Sequence, residues 1–223
     1  MAGATRRLPT VANRVRVFAR WAADGTLDRV HATLWKQVRA HAGRHPQPSA
    51  AVIDSQSVRA ADTVPRPSRG FDAANKVNGR KRHIAVDTMG LLLAVMVTAG
   101  CVQDRDAGCW LLWRLRTTCR RVRLVWADAG YAGRLVVWAT AALDLRVDIV
   151  RKRLTHVFQV LPRRWVVERT FAWISRHRRT VRDYERLPDH HEAMVIWAMV
   201  TVTTRRLARH HHPAHTPALT RAA

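Results

Sequence analysis

The 223-residue chain predicts an α/β fold, a mixed five-stranded sheet with helices on both faces, preceded by a small helical segment. Three observations point there. Short apolar runs of strand length alternate with longer runs of helical periodicity. Two strand-like runs flank the tripeptide Thr88-Met89-Gly90 and so read as an antiparallel hairpin. The later strand-like runs are separated by helical ones, which is how parallel neighbours are connected.

Along residues 11–41, Val11, Val15, Phe18 and Ala22 recur every three or four positions, Ala-Asp-Gly at 23–25 interrupts, and Leu27, Val30, Leu34 and Val38 resume the pattern. This predicts a helical hairpin whose outer faces carry Arg14, Arg16, Arg20, Arg29, Lys36 and Arg39. It serves either to contact DNA or to pack as a basic solvated pair on the main domain. Pro46 and Pro48 mark a linker. Ala51-Val52-Ile53 predicts a short buried strand ending at Asp54, and the polar stretch 60–80 a basic loop. Arg82–Asp87 and Leu91–Thr98 form the hairpin, Asp106–Cys119 a helix with Trp110, Leu111, Leu112, Trp113 and Leu115 mostly inward, and Val122–Trp126 a buried strand. Ala129–Gly133 turns into a helix ending near Leu143, Arg146–Val150 is the fifth strand, and 163–180 and 192–209 are helices. The domain reading is a basic helical segment over 1–45, an α/β domain over 50–209 and a disordered tail over 210–223.

Lys and Arg number 39 against 16 Asp and Glu, a net charge of +23. Arginine predominates, and its planar fork matches phosphate oxygens, so the expected partner is a polyanion, most simply nucleic acid. Cys101, Cys109 and Cys119 have no Cys-x-x-Cys spacing and read as buried thiols of a reducing compartment. No run reaches the roughly 18 apolar residues of a membrane span, and Arg6-Arg7 lacks the apolar stretch of a signal peptide. A cytoplasmic protein without membrane contact is expected.

Against that basic background a few carboxylates stand out. Asp54 and Asp128 each follow an apolar strand, where ligands of open α/β sheets bind. Mg²⁺ takes hard oxygen ligands, so these two are candidate metal ligands. Asp87, before Thr-Met-Gly, reads as a turn residue, and Asp148 lies within its strand pattern. Glu168 sits at the edge of the Val167, Phe171, Ile174 apolar face, where it either points toward the sheet or pairs with Arg164 on the surface, a pairing worth about 0.2–0.5 kcal/mol.

Several segments then resemble one family. Ile-Asp-Ser-Gln-Ser-Val (53–58), Asn-Gly-Arg-Lys-Arg-His-Ile-Ala-Val-Asp (78–87), Val-Gln-Asp-Arg-Asp (102–106), Trp-Ala-Asp-Ala-Gly-Tyr-Ala-Gly (126–133) and Leu-Pro-Arg-Arg-Trp-Val-Val-Glu-Arg-Thr-Phe-Ala-Trp (161–173) are similar to bacterial insertion-sequence transposases of the insertion-sequence-five family. The resemblance runs from about residue 11 to 209. It implies an RNase H-like catalytic domain with a DDE triad of Asp54, Asp128 and Glu168, which would hold two Mg²⁺ (or Mn²⁺) ions. It also implies cleavage at element ends, transfer of a 3′-hydroxyl to target DNA, and a homodimer on paired terminal inverted repeats in a bacterial, nucleoid-associated setting. Arg164 and Glu168 keep the family spacing, while Leu161 and Ser175 stand where the family signature has Tyr and Lys, and Lys152–Val160 departs from it.

Lys81, Arg82, Arg164, Arg169 and Arg176 are the candidate DNA contacts. Trp165 and Trp173 read as core rather than base-stacking residues, and His83 as a packed histidine. The competing readings are an RNase H-like nuclease without strand transfer and a truncated, inactive DNA-binding remnant of a transposase.

Overall fold

The computed structural model describes residues 11–150 and 165–211. Two helices, α1 (Val11–Ala23) and α2 (Thr26–His41), precede the sheet. The strands are β1 (Ala50–Arg59), β2 (Gly70–Asp72), β3 (Val77–Asp87), β4 (Leu92–Ala99), β5 (Leu124–Ala127) and β6 (Arg146–Ile149). Helix α3 (Asp104–Thr118) joins β4 to β5, α4 (Arg134–Leu143) joins β5 to β6, and α5 (Trp165–Ser175) and α6 (Pro188–His211) follow.

The central strand is β1. It pairs antiparallel with β3, from Ala51 opposite Asp87 to Arg59 opposite Gly79, and parallel with β5. Beyond β3 lies β4, antiparallel, with β2 on the same outer edge; beyond β5 lies β6, parallel. Three antiparallel strands continuing into parallel strands joined by a helix is the RNase H-like arrangement.

Side chains of a strand alternate between faces, and here each face builds its own core. Ala51, Ile53, Ala85 and Val125 pack with Leu111, Leu112 and Leu115 of α3 and with Leu135 of α4. Val52, Ile84 and Val86 pack with Val167, Phe171 and Ile174 of α5 and with Val195 and Met199 of α6. Helix α2 contributes Trp35 and Val38 to the first core and Leu27 to the second, so the N-terminal hairpin is built into the body of the protein. The solvated-pair reading had the packing right but not its depth, since Trp35 is fully buried.

Five expectations change. The sheet has a sixth strand, Gly70–Asp72, and β1 does not end at Asp54 but runs five residues further. The polar stretch read as loop contains β2 and the start of β3, because its charges are neutralised internally. Arg80 pairs with Asp183 at 2.9 Å and Lys81 with Asp104 at 3.2 Å, and charged residues enter a core only when paired in this way. Trp110 and Trp113 point outward, 65% and 51% exposed. The predicted 163–180 helix stops at Ser175 and gives way to a 3-10 turn at Arg178–Thr180. The predicted tail lies outside the described residues from 212 onward, and α6 reaches His211. Among the described residues no helix is long and apolar enough to cross a membrane.

Candidate active site

The parallel register of β1 and β5 positions the two aspartates. Ala50, Ala51 and Val52 lie opposite Leu124, Val125 and Trp126. Asp54 and Asp128 each lie two residues beyond the last of these pairs, Val52 and Trp126, on the same side of the pairing. Both residues are partly buried. Asp54 Oδ1 accepts the Ser55 N–H at 2.8 Å. Asp128 caps the 3-10 turn Ala129–Tyr131, accepting the Gly130 N–H at 2.9 Å. Alternation from Val52 puts Asp54 on the α5 face and Ser55 on the α3 face.

On the α3 face stands Asp104, a residue that sequence reasoning did not single out although it lies in the Val-Gln-Asp-Arg-Asp segment. Asp104 Oδ1 accepts Ser55 Oγ at 2.8 Å and lies 3.2 Å from Lys81 Nζ. The signal that could have found it is its place at the start of α3, five residues after the strand that ends the hairpin. Tyr131 is fully buried nearby. Its ionisation is pushed well above the usual range, first by burial and then by Asp104, Asp54 and Asp128. Ser55 stands beside its hydroxyl without forming a well-aligned hydrogen bond. The charges of three carboxylates therefore bear on one buried phenol in a protein that is otherwise strongly basic.

Glu168 lies on α5, which packs across β1 and β3 on the Asp54 face, and its side chain is exposed. Ser175, two turns further on, accepts Arg82 Nη2 at 2.9 Å, and Arg82 Nε donates to Gln56 at 3.0 Å. Gln56 is two residues from Asp54 on the same face, so the helix stripe of Glu168 runs along the face that carries Asp54. Among the described residues no three His, Cys, Asp or Glu groups gather as a complete metal-ligand set. The aspartate pair fits a hard divalent ion all the same, because Mg²⁺ keeps several waters and needs only one or two protein carboxylates.

The basic candidates separate by position. Arg82 is only 2% exposed and also donates to Thr180 O at 2.8 Å. Burial lowers its pKa to about 10, partly offset by Asp183. Lys81 is 7% exposed and its ammonium is also bound to Val102 O at 3.1 Å. These two are internal struts in this structure. Arg176 is exposed. Arg169 is sandwiched between Trp165 and Trp173, 4.1 and 4.7 Å from their ring centres. Arg164 lies outside the described residues. Trp165 is partly exposed, not core. His83 is packed as expected and bonded to Thr98 Oγ1 at 3.0 Å. Asp87 holds its turn by accepting the N–H groups of Met89 and Leu91, and pairs with buried Arg39. Asp148 pairs with Arg146 at 2.8 Å.

The sheet order, β2-β3-β1-β5-β6 with β4 on β3, is that of the RNase H-like class. The family model described as "Transposase DDE domain" matches residues 45–203, and the chain belongs to that family. A putative transposase for insertion sequence element IS402 from Burkholderia cepacia is 31% identical over 151 residues, covering 65% of this chain and 69% of the relative. The catalytic domain of Mos1 mariner transposase is similar at 11% identity with a TM-score of 0.40, over 82% of this chain and 93% of that one. A chain of a simian T-cell lymphotropic virus intasome, in complex with PP2A regulatory subunit B56 gamma, is similar at 15% identity with a TM-score of 0.47, over 79% of this chain and 59% of that one. Membership rests on the family model and the IS402 relative.

Proposed function

We propose that the chain cleaves DNA at the ends of an insertion element and transfers the freed 3′-hydroxyl to target DNA. The observation that supports this reading is the parallel β1–β5 pairing, beyond whose last pair, Val52 and Trp126, Asp54 and Asp128 each lie two residues, within a chain of the transposase DDE family. In this reading Asp54 and Asp128 would hold Mg²⁺ (or Mn²⁺), two ions in all, and Glu168 would complete the acidic set. When bound, the metal activates the attacking oxygen and neutralises charge on the leaving one.

The protein's own residues do the rest. Asp54 accepts the Ser55 amide and Asp128 the Gly130 amide, hydrogen bonds that would help orient both carboxylates toward a substrate. Exposed Arg176 and the stacked Arg169 supply positive charge for the DNA backbone, which binding of a polyanion requires. No covalent protein intermediate is needed. Terminal inverted repeats and target duplex are the proposed DNA partners, engaged by two copies of the chain.

The test is incubation of purified protein with supercoiled plasmid carrying the element ends, with Mg²⁺ or Mn²⁺, beside Asp54→Asn, Asp128→Asn and Glu168→Gln. Nicking and joined products that require metal and disappear in all three variants are expected. Nicking that persists in Asp54→Asn would sink the proposed centre. Nicking without joined product would make the protein a nuclease rather than a transferase.

A further inference from the structure

We infer that Asp104 is a positioning residue for the Asp54–Asp128 pair, acting through Ser55 on one side and the Gly130 step on the other. The inference rests on the proposed centre and adds to it a residue outside the Asp54, Asp128, Glu168 triad.

Ser55 makes the first link. Its amide donates to Asp54 Oδ1 and its hydroxyl to Asp104 Oδ1, both at 2.8 Å. One residue thus ties the acid on the α5 face of β1 to an acid at the first turn of α3 on the other face. Gly130 makes the second link. A Cβ built there would lie 3.1 Å from Asp128 Oδ1 and 3.4 Å from Asp104 Oδ2, so both carboxylates close on the same backbone step. Asp104 therefore touches the local scaffold of both aspartates.

Its own charge is held in place by Lys81, whose ammonium is 3.2 Å away and is anchored by Val102 O at 3.1 Å and Asp72 at 3.7 Å. His83 Nδ1 lies 3.9 Å away. It adds little charge at neutral pH, because burial lowers its pKa to about 4, against a smaller upward pull from Asp104. An acid in the first turn of a helix has a simpler role, favourable alignment with the helix dipole. That role does not call for a hydroxyl link to β1 or for close approach to the Asp128 turn. Ser55 and Lys81 both engage Oδ1 of Asp104.

Outer residues that orient metal ligands change metal affinity about 10- to 100-fold when removed. The experiment measures Mn²⁺ affinity by electron paramagnetic resonance on the full chain, without DNA, together with thermal melting. Asp104→Ala is expected to weaken Mn²⁺ binding within that range. Ser55→Ala should weaken it in part, Ser55→Thr should restore it by returning the hydroxyl, and the Ser55→Ala, Asp104→Ala double variant should bind no more weakly than Asp104→Ala alone. Unchanged affinity in Asp104→Ala, or additive losses in the double variant, would overturn the positioning role. If Asp104→Ala does not fold, the two Ser55 variants decide, and equal affinity in both overturns it. Mn²⁺ binding that survives Asp54→Asn removes the centre itself, and the role of Asp104 with it, and is recognised separately because that variant leaves Ser55 and Asp104 intact.

Discussion

At the scale of single residues, the structure is held by buried charges that each have a specific partner. Arg80 is the clearest. Its guanidinium meets Asp183, the carbonyls of Ser68, Glu185 and Arg186, and Ser68 Oγ, all within 3.0 Å. Removing one member of a buried pair leaves the other uncompensated at a cost of about 3–5 kcal/mol. Arg80→Met should therefore lower the urea midpoint by an amount corresponding to that range, and a loss below about 1 kcal/mol would show that solvent reaches Asp183 instead.

Buried histidines set a second residue-scale expectation. Burial lowers the pKa of His31 to about 4. The unfolded chain takes up a proton on that ring near pH 6.5, whereas the folded chain resists until about 4. The unfolded state thus binds more protons in that interval, and stability falls as pH is lowered from 6.5 toward 4 while staying level above it. Denaturant melts at pH 7.5 and 5.0 should show the loss, and His31→Leu should reduce it. An unchanged pH slope in His31→Leu would assign the effect to another group. At this same scale the sequence was only partly legible. Asp54 and Asp128 stood out as candidates because each follows an apolar run. Asp104 and Arg80 did not, and Lys81 was read as a DNA contact, because a charged residue in a polar stretch looks the same whether it faces water or an ion pair.

Individual elements were legible where periodicity was strong and unpartnered. The α1–α2 hairpin, α4 and the β3–β4 turn lie where apolar spacing put them. The extent of β1 did not follow from its pattern. Ser55, Gln56 and Ser57 carry no apolar alternation, yet they continue the strand because Asp104, Arg82 and Asp72 give each side chain a polar partner. Trp110 and Trp113 misled in the opposite direction, since large apolar residues normally mark the inner face and here the helix turns them outward.

The close pairing of β1 and β3 has a mechanical consequence at Gly79. A Cβ there would lie 2.0 Å from Val58 O and 2.7 Å from Ala60 N, both backbone atoms that cannot rotate away. Gly79→Ala should force the end of the ladder apart, lowering the melting temperature and speeding amide exchange at Arg59 and Arg80. Native exchange rates in that variant would mean that β1 already ends before Arg59. Trp35 gives the matching expectation for α2. It is buried in the sheet's first core, so Trp35→Ala should cost about 3–5 kcal/mol. A near-neutral result would mean that the N-terminal hairpin is detachable.

For the whole molecule, the governing quantity is the net charge of +23 and where it sits. Only charge at the surface can displace counterions from DNA, and each phosphate neutralised adds about 0.9 to the slope of log K against log salt. Arg176 is exposed, whereas Arg82 is committed to Gln56, Ser175 and Thr180 inside the fold. The two arginines lie on or beside the same helix but should behave differently. Arg176→Ala should weaken DNA binding at low salt and reduce the salt slope by about 1, with the melting temperature unchanged. Arg82→Met should leave the slope unchanged and lower the melting temperature, because it leaves Gln56 and the Thr180 carbonyl without their donor. Binding isotherms from about 50 to 200 mM salt, the range over which such contacts are most strongly attenuated, separate the two. If Arg82→Met lowers the slope as much as Arg176→Ala, the interior of the domain opens when it meets DNA, and the burial of Arg82 describes only the unbound protein.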